Sequence, residues 1–142
     1  MRPPILAVLC ATTILVAAET SYDEQLVIDR PLRILASPAG SNESDATVTL
    51  RPTTGPGVIV TSDAKDVVIR GLRIERPKGA GVWVTEGAAA TIEATTVRDA
   101  EPDGDGHFGY GLLASGGATA VIRRTTVDGA AEVGIYIQGA TG

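Results

Sequence analysis

Between Asp99 and Tyr110 the chain gathers its best-equipped chemical groups. Asp99, Glu101, Asp103 and Asp105 stand at alternate positions, Gly104 and Gly106 lie among them, and His107, the single histidine, follows. Hard oxygen ligands on a tightly wrapping backbone are what Ca²⁺ requires. Counting from Asp99, acids fall at positions 1, 3, 5 and 7 and Gly104 at position 6, as in a calcium loop, but Tyr110 stands at position 12, where a bidentate Glu belongs. The same residues describe a solvated acidic loop, and the missing twelfth ligand favours that description over a metal site. Asp103 and Asp105 could also span the roughly 5–10 Å between a glycosidase's two carboxyls, yet a loop holds such a pair poorly.

A second group with chemical capacity is a column of outward residues. If Val58 and Val60 and their equivalents face inward, then Ile59, Trp83, Leu113 and Tyr136 face outward and stack as a ladder, joined by Leu15 if residues 14–17 form a strand. Such a column needs a cover or a partner. Trp83 and Tyr136 offer flat apolar faces with polar tips, which suits stacking on sugar rings. The competing expectation is that an N-terminal segment, a loop or a neighbouring subunit covers the stripe.

Both groups are positioned by a repeat. Gly57-Val-Ile-Val, Gly81-Val-Trp-Val, Gly111-Leu-Leu-Ala and Gly134-Ile-Tyr-Ile are four copies of one short strand; residues 67–75, 90–98 and 120–128 are three copies of a second unit. Ile69 to Ile92 and Ile74 to Val97 are each 23 residues, whereas Ile92 to Ile122 and Val97 to Val127 are 30, so one coil carries seven extra residues in or near 101–110. Alternation within each copy is that of strands. It predicts three inward columns: Val58/Val60 with Val82/Val84, Leu112/Ala114 and Ile135/Ile137; Ile69 with Ile92 and Ile122; Ile74 with Val97 and Val127. One coil cannot bury these columns, but stacked coils bury them against one another. The prediction is all-β: a single-stranded right-handed parallel β-helix, a solenoid with coils of about 23 residues. Outward charges obey the same register, with Arg70, Glu93 and Arg123 in one ladder and Glu75, Arg98 and Asp128 in another, as surface decoration.

Residues 13–34, from Thr-Ile-Leu-Val-Ala to Pro-Leu-Arg-Ile, resemble the opening coil of right-handed parallel β-helix proteins of the pectin-lyase-like superfamily, and Gly57–Glu75 resembles their standard coil. That resemblance implies the fold and leaves activity open, because lyases, hydrolases, esterases and non-catalytic modules share it. Similar members bind polysaccharide along such a ladder face. Gly106-His107 resembles the Gly-His-Gly segment of polygalacturonase-like hydrolases, but their Asn-Thr-Asp and Asp-Asp elements are absent, and Thr61 and Thr85 stand where acids would be wanted. The aspartates and arginine of a pectin methylesterase are not recognisable. A calcium-dependent pectate lyase would need an arginine base beside a metal cluster on one face, whereas Arg98 and Arg123 fall in the paired ladders. No residue is therefore assigned a catalytic role.

The rest of the chain sets the boundaries. It has 142 residues and a net charge of −5, with no basic block, which argues against a nucleic-acid partner. Cys10 is alone, so there is no disulfide framework. Residues 1–18 read either as a secretory signal peptide, basic at the start and too short for a stable membrane span, or as including the first solenoid strand; 19–142 is the β-helix domain. Residues 36–45 are a polar loop that contains the sequon Asn42-Glu-Ser44. Nothing near Ile135–Ile137 resembles a cap, so a fragment is expected, with further coils or another subunit covering that end. Three functions follow: a secreted or cell-surface binding module for polysaccharide or protein, the N-terminal part of a polysaccharide-active enzyme with its catalytic coils elsewhere, or a purely structural repeat region.

Overall fold

The computed structural model describes residues 13–17, 21–37, 48–61, 64–106 and 109–138. The sequon, Cys10, His107 and most of the signal-like segment lie outside these residues.

Within them every strand is short and parallel to its neighbours. β1 (Thr13–Ala17), β4 (Arg33–Ser37), β7 (Val67–Arg70), β10 (Ala89–Glu93) and β13 (Thr119–Arg123) form one sheet in that order. A second runs β2 (Ser21–Tyr22), β5 (Val48–Leu50), β8 (Leu72–Glu75), β11 (Thr96–Arg98) and β14 (Thr126–Asp128). The third is β3 (Leu26–Ile28), β6 (Val58–Val60), β9 (Ala80–Val84), β12 (Tyr110–Ser115) and β15 (Ile135–Gln138). Successive strands in each sheet are three apart in the chain, so each coil contributes one strand per sheet. This is the predicted solenoid.

The predicted columns are the observed core. Ile69 pairs with Ile92 and Ile92 with Ile122, Ile74 with Val97 and Val97 with Val127, and Val58 with Val82, Leu112 and Ile135 in turn. Ile34, Ile69, Ile74, Val82 and Val97 are wholly buried. Each such large side chain contributes about 1.5–3 kcal/mol by leaving water. The last coil differs: Ile135 and Ile137, in the same inward columns, are 48% and 43% exposed.

The second repeat unit is not one straight strand. It bends between β7 and β8 at Gly71, and at the equivalent Ala94 and Arg124, where φ is +80°, +49° and +45°. A left-handed residue turns the chain sharply from one sheet to the next, and glycine adopts it at least cost. Only the first of these corners advertises itself with a glycine.

The charge ladders have the predicted register but not its partners. Glu93 lies across from Arg70 and Arg123, yet its ion pair is with Arg124, the corner residue next to that rung. Glu75 takes Arg51 at 3.0 Å and Arg73 at 3.6 Å. Long arginine side chains reach diagonally, so backbone register does not dictate the pair.

One expectation is corrected. Residues 14–17 do belong to a strand, but Leu15 pairs with Leu35 in the first sheet, not with the Trp83 ladder. The ladder's further rung is Val27, which pairs with Ile59 and is 48% exposed.

Candidate functional site

The third sheet presents Val27, Ile59, Trp83, Leu113 and Tyr136 as successive outward rungs. All four residues expected to form the ladder are therefore in line. They are not equally open, because the long loop after β11 changes one end of the row.

That loop is residues 99–109, eleven residues where the previous coil uses 76–79, which locates the seven extra residues. Its two roots are bolted to that shorter loop. The Glu101 amide donates to the Pro77 carbonyl at 2.8 Å, the Gly79 amide to the Glu101 carbonyl at 2.8 Å, and the Gly109 and Tyr110 amides to the Gly79 carbonyl at 2.9 and 3.0 Å. On the other side the Ala131 amide donates to the Ala100 carbonyl at 3.0 Å and the Glu132 amide to the Gly109 carbonyl at 3.1 Å. Each root thus adds bonds of sheet type to the coils on either side.

Where the loop returns, Tyr110 seeds a second apolar cluster outside the solenoid core. Ala80, Tyr110 and Leu113 are buried there, with Trp83 and Tyr136 packed against them. The rings of Tyr110 and Tyr136 lie 5.0 Å apart, tilted by 35°. Burial, assisted by the charge of Glu132, pushes the Tyr110 phenol above its ordinary 10. Leu113 is only 7% exposed. Part of the stripe is thus covered by Tyr110, the first residue of β12, at the point where the long loop ends.

Trp83 sits at the boundary between the covered and open rungs. Its indole N–H donates to Ser115 Oγ at 2.9 Å, and Ser115 Oγ donates in turn to Thr85 Oγ1 at 3.3 Å. These bonds fix the ring plane. Beside the ring is a groove of about 120 Å³, bounded by Gly55, Pro56, Lys78, Gly79, Leu113 and Asp103 and lined almost wholly by carbon. Three loops from three coils build its walls. The sequence offers no reason to place Pro56 and Lys78 beside Trp83, and it singles out Asp103 only as a loop acid, because their proximity to the ring depends on loop paths rather than on the repeat.

The four loop acids go separate ways. Glu101 forms an ion pair with Lys78, and that charge-assisted hydrogen bond holds its carboxyl below the ordinary 4.5. Asp103 Oδ1 accepts from the Asp105 amide at 2.9 Å, and the Gly106 amide donates to the Asp103 carbonyl at 2.9 Å, a turn closed on itself. Asp99 is exposed, and its amide donates to the Asp128 carbonyl at 2.8 Å. Among the described residues no three His, Cys, Asp or Glu side chains gather as metal ligands. Among them, too, no helix is long and apolar enough to cross a membrane.

A family model described as a right handed beta helix region matches residues 41–142. No curated protein and no solved structure matches the chain.

Proposed function

The chain belongs to the right-handed parallel β-helix family of the pectin-lyase-like superfamily, and on that premise we propose that it is a non-catalytic module that binds glycan through the Trp83 groove. The observation that carries this reading is the state of Trp83. Its ring is half-buried, its N–H is already engaged by Ser115, and it borders a carbon-lined groove. A fixed indole face beside an apolar hollow suits the C–H face of a sugar ring. At about 120 Å³ the groove is well below the ~300–1,000 Å³ of pockets that enclose a whole drug-sized ligand. It takes one ring and leaves the rest of a chain on the open rungs Ile59 and Val27.

The test is binding by Trp83→Ala. A central tryptophan of this kind is worth about 2 kcal/mol, so affinity for immobilised polysaccharide should fall about 30-fold. The melting curve should show the variant still folded. Unchanged binding by a folded variant would remove Trp83 from the site.

A second reading, that a further coil of this chain or of another subunit packs on the last described coil, is favoured by the exposure of its inward residues. Ile135 and Ile137 face the core direction yet are about half exposed. Stacked coils normally bury such residues, so this face is suited to receive another coil of the same kind.

A further inference from the structure

We infer that Thr61 and Thr85 form the polar, specificity-determining margin of the Trp83 site and select a sugar ring through two of its hydroxyl groups; this rests on the reading of that site as one for glycan. Two residues beyond each outward rung the third sheet carries a second outward position. Thr61, Thr85 and Ser115 follow Ile59, Trp83 and Leu113 in this way, so a hydroxyl column runs beside the apolar one. The backbone keeps it in register: the Thr61 amide donates to the Ile28 carbonyl and the Thr85 amide to the Val60 carbonyl, both at 2.9 Å. The strands of this sheet are parallel, so residues before them share one margin and residues after them share the other. Gly55, Pro56, Lys78 and Gly79 put the carbon-lined groove at the first margin. The hydroxyl column holds the second, and Trp83 stands between the two.

The hydrogen bonds already made in this column decide what is left for a ligand. A hydroxyl has one proton to donate and two lone pairs that accept. Thr61 spends its proton on the Glu86 carboxylate, which only accepts, and so retains lone pairs. Ser115 is engaged on both sides, taking the Trp83 N–H and donating to Thr85. Thr85 accepts that bond and keeps its own proton to donate. The column therefore offers an acceptor at Thr61 and a donor at Thr85, one coil apart, at about the 4.8 Å spacing of stacked strands. Both side chains are half-buried beside the sheet, so ordering them on binding costs little. A sugar ring whose C–H face lies on the indole meets this margin with its edge hydroxyls, one donating to Thr61 and one accepting from Thr85. A ring without hydroxyls on that edge forfeits both bonds and covers two polar groups that it leaves unpaired.

Trp83 is the only tryptophan, so its fluorescence reports the site directly. The full chain is titrated with gluco-, xylo-, manno- and galacturono-configured tetrasaccharides. Those that perturb Trp83 are titrated again into Thr61→Val, Thr85→Val, Thr61→Ser and Thr85→Ser. Valine keeps the shape of threonine and removes the hydroxyl, whereas serine keeps the hydroxyl. Each valine variant should lose roughly two- to tenfold in affinity, the worth of one hydrogen bond, and each serine variant should bind within about twofold of the parent chain. Valine variants that bind as tightly as the parent chain, or a loss that serine does not restore, overturn the role of Thr61 and Thr85 while leaving a glycan site in place. Silence of Trp83 toward all of these sugars overturns the glycan reading itself and the hydroxyl margin with it.

Discussion

Gly81→Ala should destabilise the solenoid, whereas Gly134→Ala, in the same column and the same sequence motif, should not. The glycines at 57, 81, 111 and 134 begin equivalent strands, and none has a positive φ. Alanine would meet no backbone strain there, so the glycines must be explained by space. A Cβ on Gly81 would fall 2.5 Å from the Gly111 carbonyl oxygen and 2.6 and 2.8 Å from the two Cγ atoms of Val97. Gly111 presents the same conflict with Val127 and Gly134, at 2.3 and 2.6 Å. Among the described residues, a Cβ on Gly134 would find only Val127, with its nearest atom 3.8 Å away. Val97 is a stiff β-branched residue at 0% exposure, and the carbonyl belongs to the backbone of the next coil. Neither can retreat cheaply. Overpacking of this kind costs about 1–3 kcal/mol. Loss of glycine's freedom in the unfolded chain returns about 0.4–1 kcal/mol. The net for Gly81→Ala is therefore a loss of about 1 kcal/mol, reaching about 2.5 kcal/mol where neither neighbour yields, or roughly 3–8 °C in Tm for a chain of this size. Gly134→Ala keeps only the favourable part and should be neutral or up to about 1 kcal/mol stabilising. Urea denaturation followed by circular dichroism measures both. Equal effects at the two positions would show that coil-to-coil contact is not what requires glycine at these corners.

Two further predictions concern charge and the open coil. Glu93 is held below its ordinary 4.5 first by the hydrogen bond from Arg124, then by the charges of Arg124, Arg70 and Arg123, and Glu101 likewise by Lys78. A carboxyl whose folded pKa is depressed adds stability above its unfolded pKa and loses it as pH falls through the folded value, so the urea midpoint should drop below about pH 4.5 and drop less in Glu93→Gln/Glu101→Gln. Ile69→Ala, at 0% exposure, should cost about 2–5 kcal/mol, while Ile137→Ala, at 43%, should cost less than about 1 kcal/mol in a dilute monomer. An equally large loss at Ile137 in dilute solution would mean that this coil is already covered.

The residues that reveal the fold in the sequence are those whose environment repeats. Ile69, Ile92 and Ile122 are in register because each faces the same interior, and alternation carries that information along the chain. Where the repeat is silent, the sequence misleads or says nothing. Leu15 lies in a continuous apolar run with no glycine to phase it, and the copy that would have placed it, Ile34-Leu35, follows after 20 residues and not 23, so its sheet was not read. Val27 could have been, because Leu26-Val-Ile28 matches Val58-Ile-Val60 in both alternation and type. Ala94 and Arg124 hide two of the corners, since neither residue type signals a left-handed turn. Trp83 was legible as an outward rung. Its groove was not, because Pro56, Lys78 and Asp103 approach it from loops that the 23-residue period does not govern.

The same division bears on where selectivity can arise. Rungs of a parallel sheet lie about 4.8 Å apart, so a periodic face offers a ligand nearly the same surface at every coil and gives it no reason to stop at one. A defined register needs an element that breaks the period. Residues 99–109 are that element here. Rooted to Pro77 and Gly79 on one side and Ala131 and Glu132 on the other, they bring Tyr110 over Leu113 and Asp103 to the groove. The ladder is left open from Val27 through Ile59 to Trp83 and filled beyond it. A ring that stacks on Trp83 therefore meets a wall on one side and continuing apolar rungs on the other. The coils supply rigidity and the insertion supplies position. Shortening 99–109 to the four residues of 76–79 would accordingly uncover Leu113 and lengthen the stripe, but it would remove the feature that makes one rung different from the next.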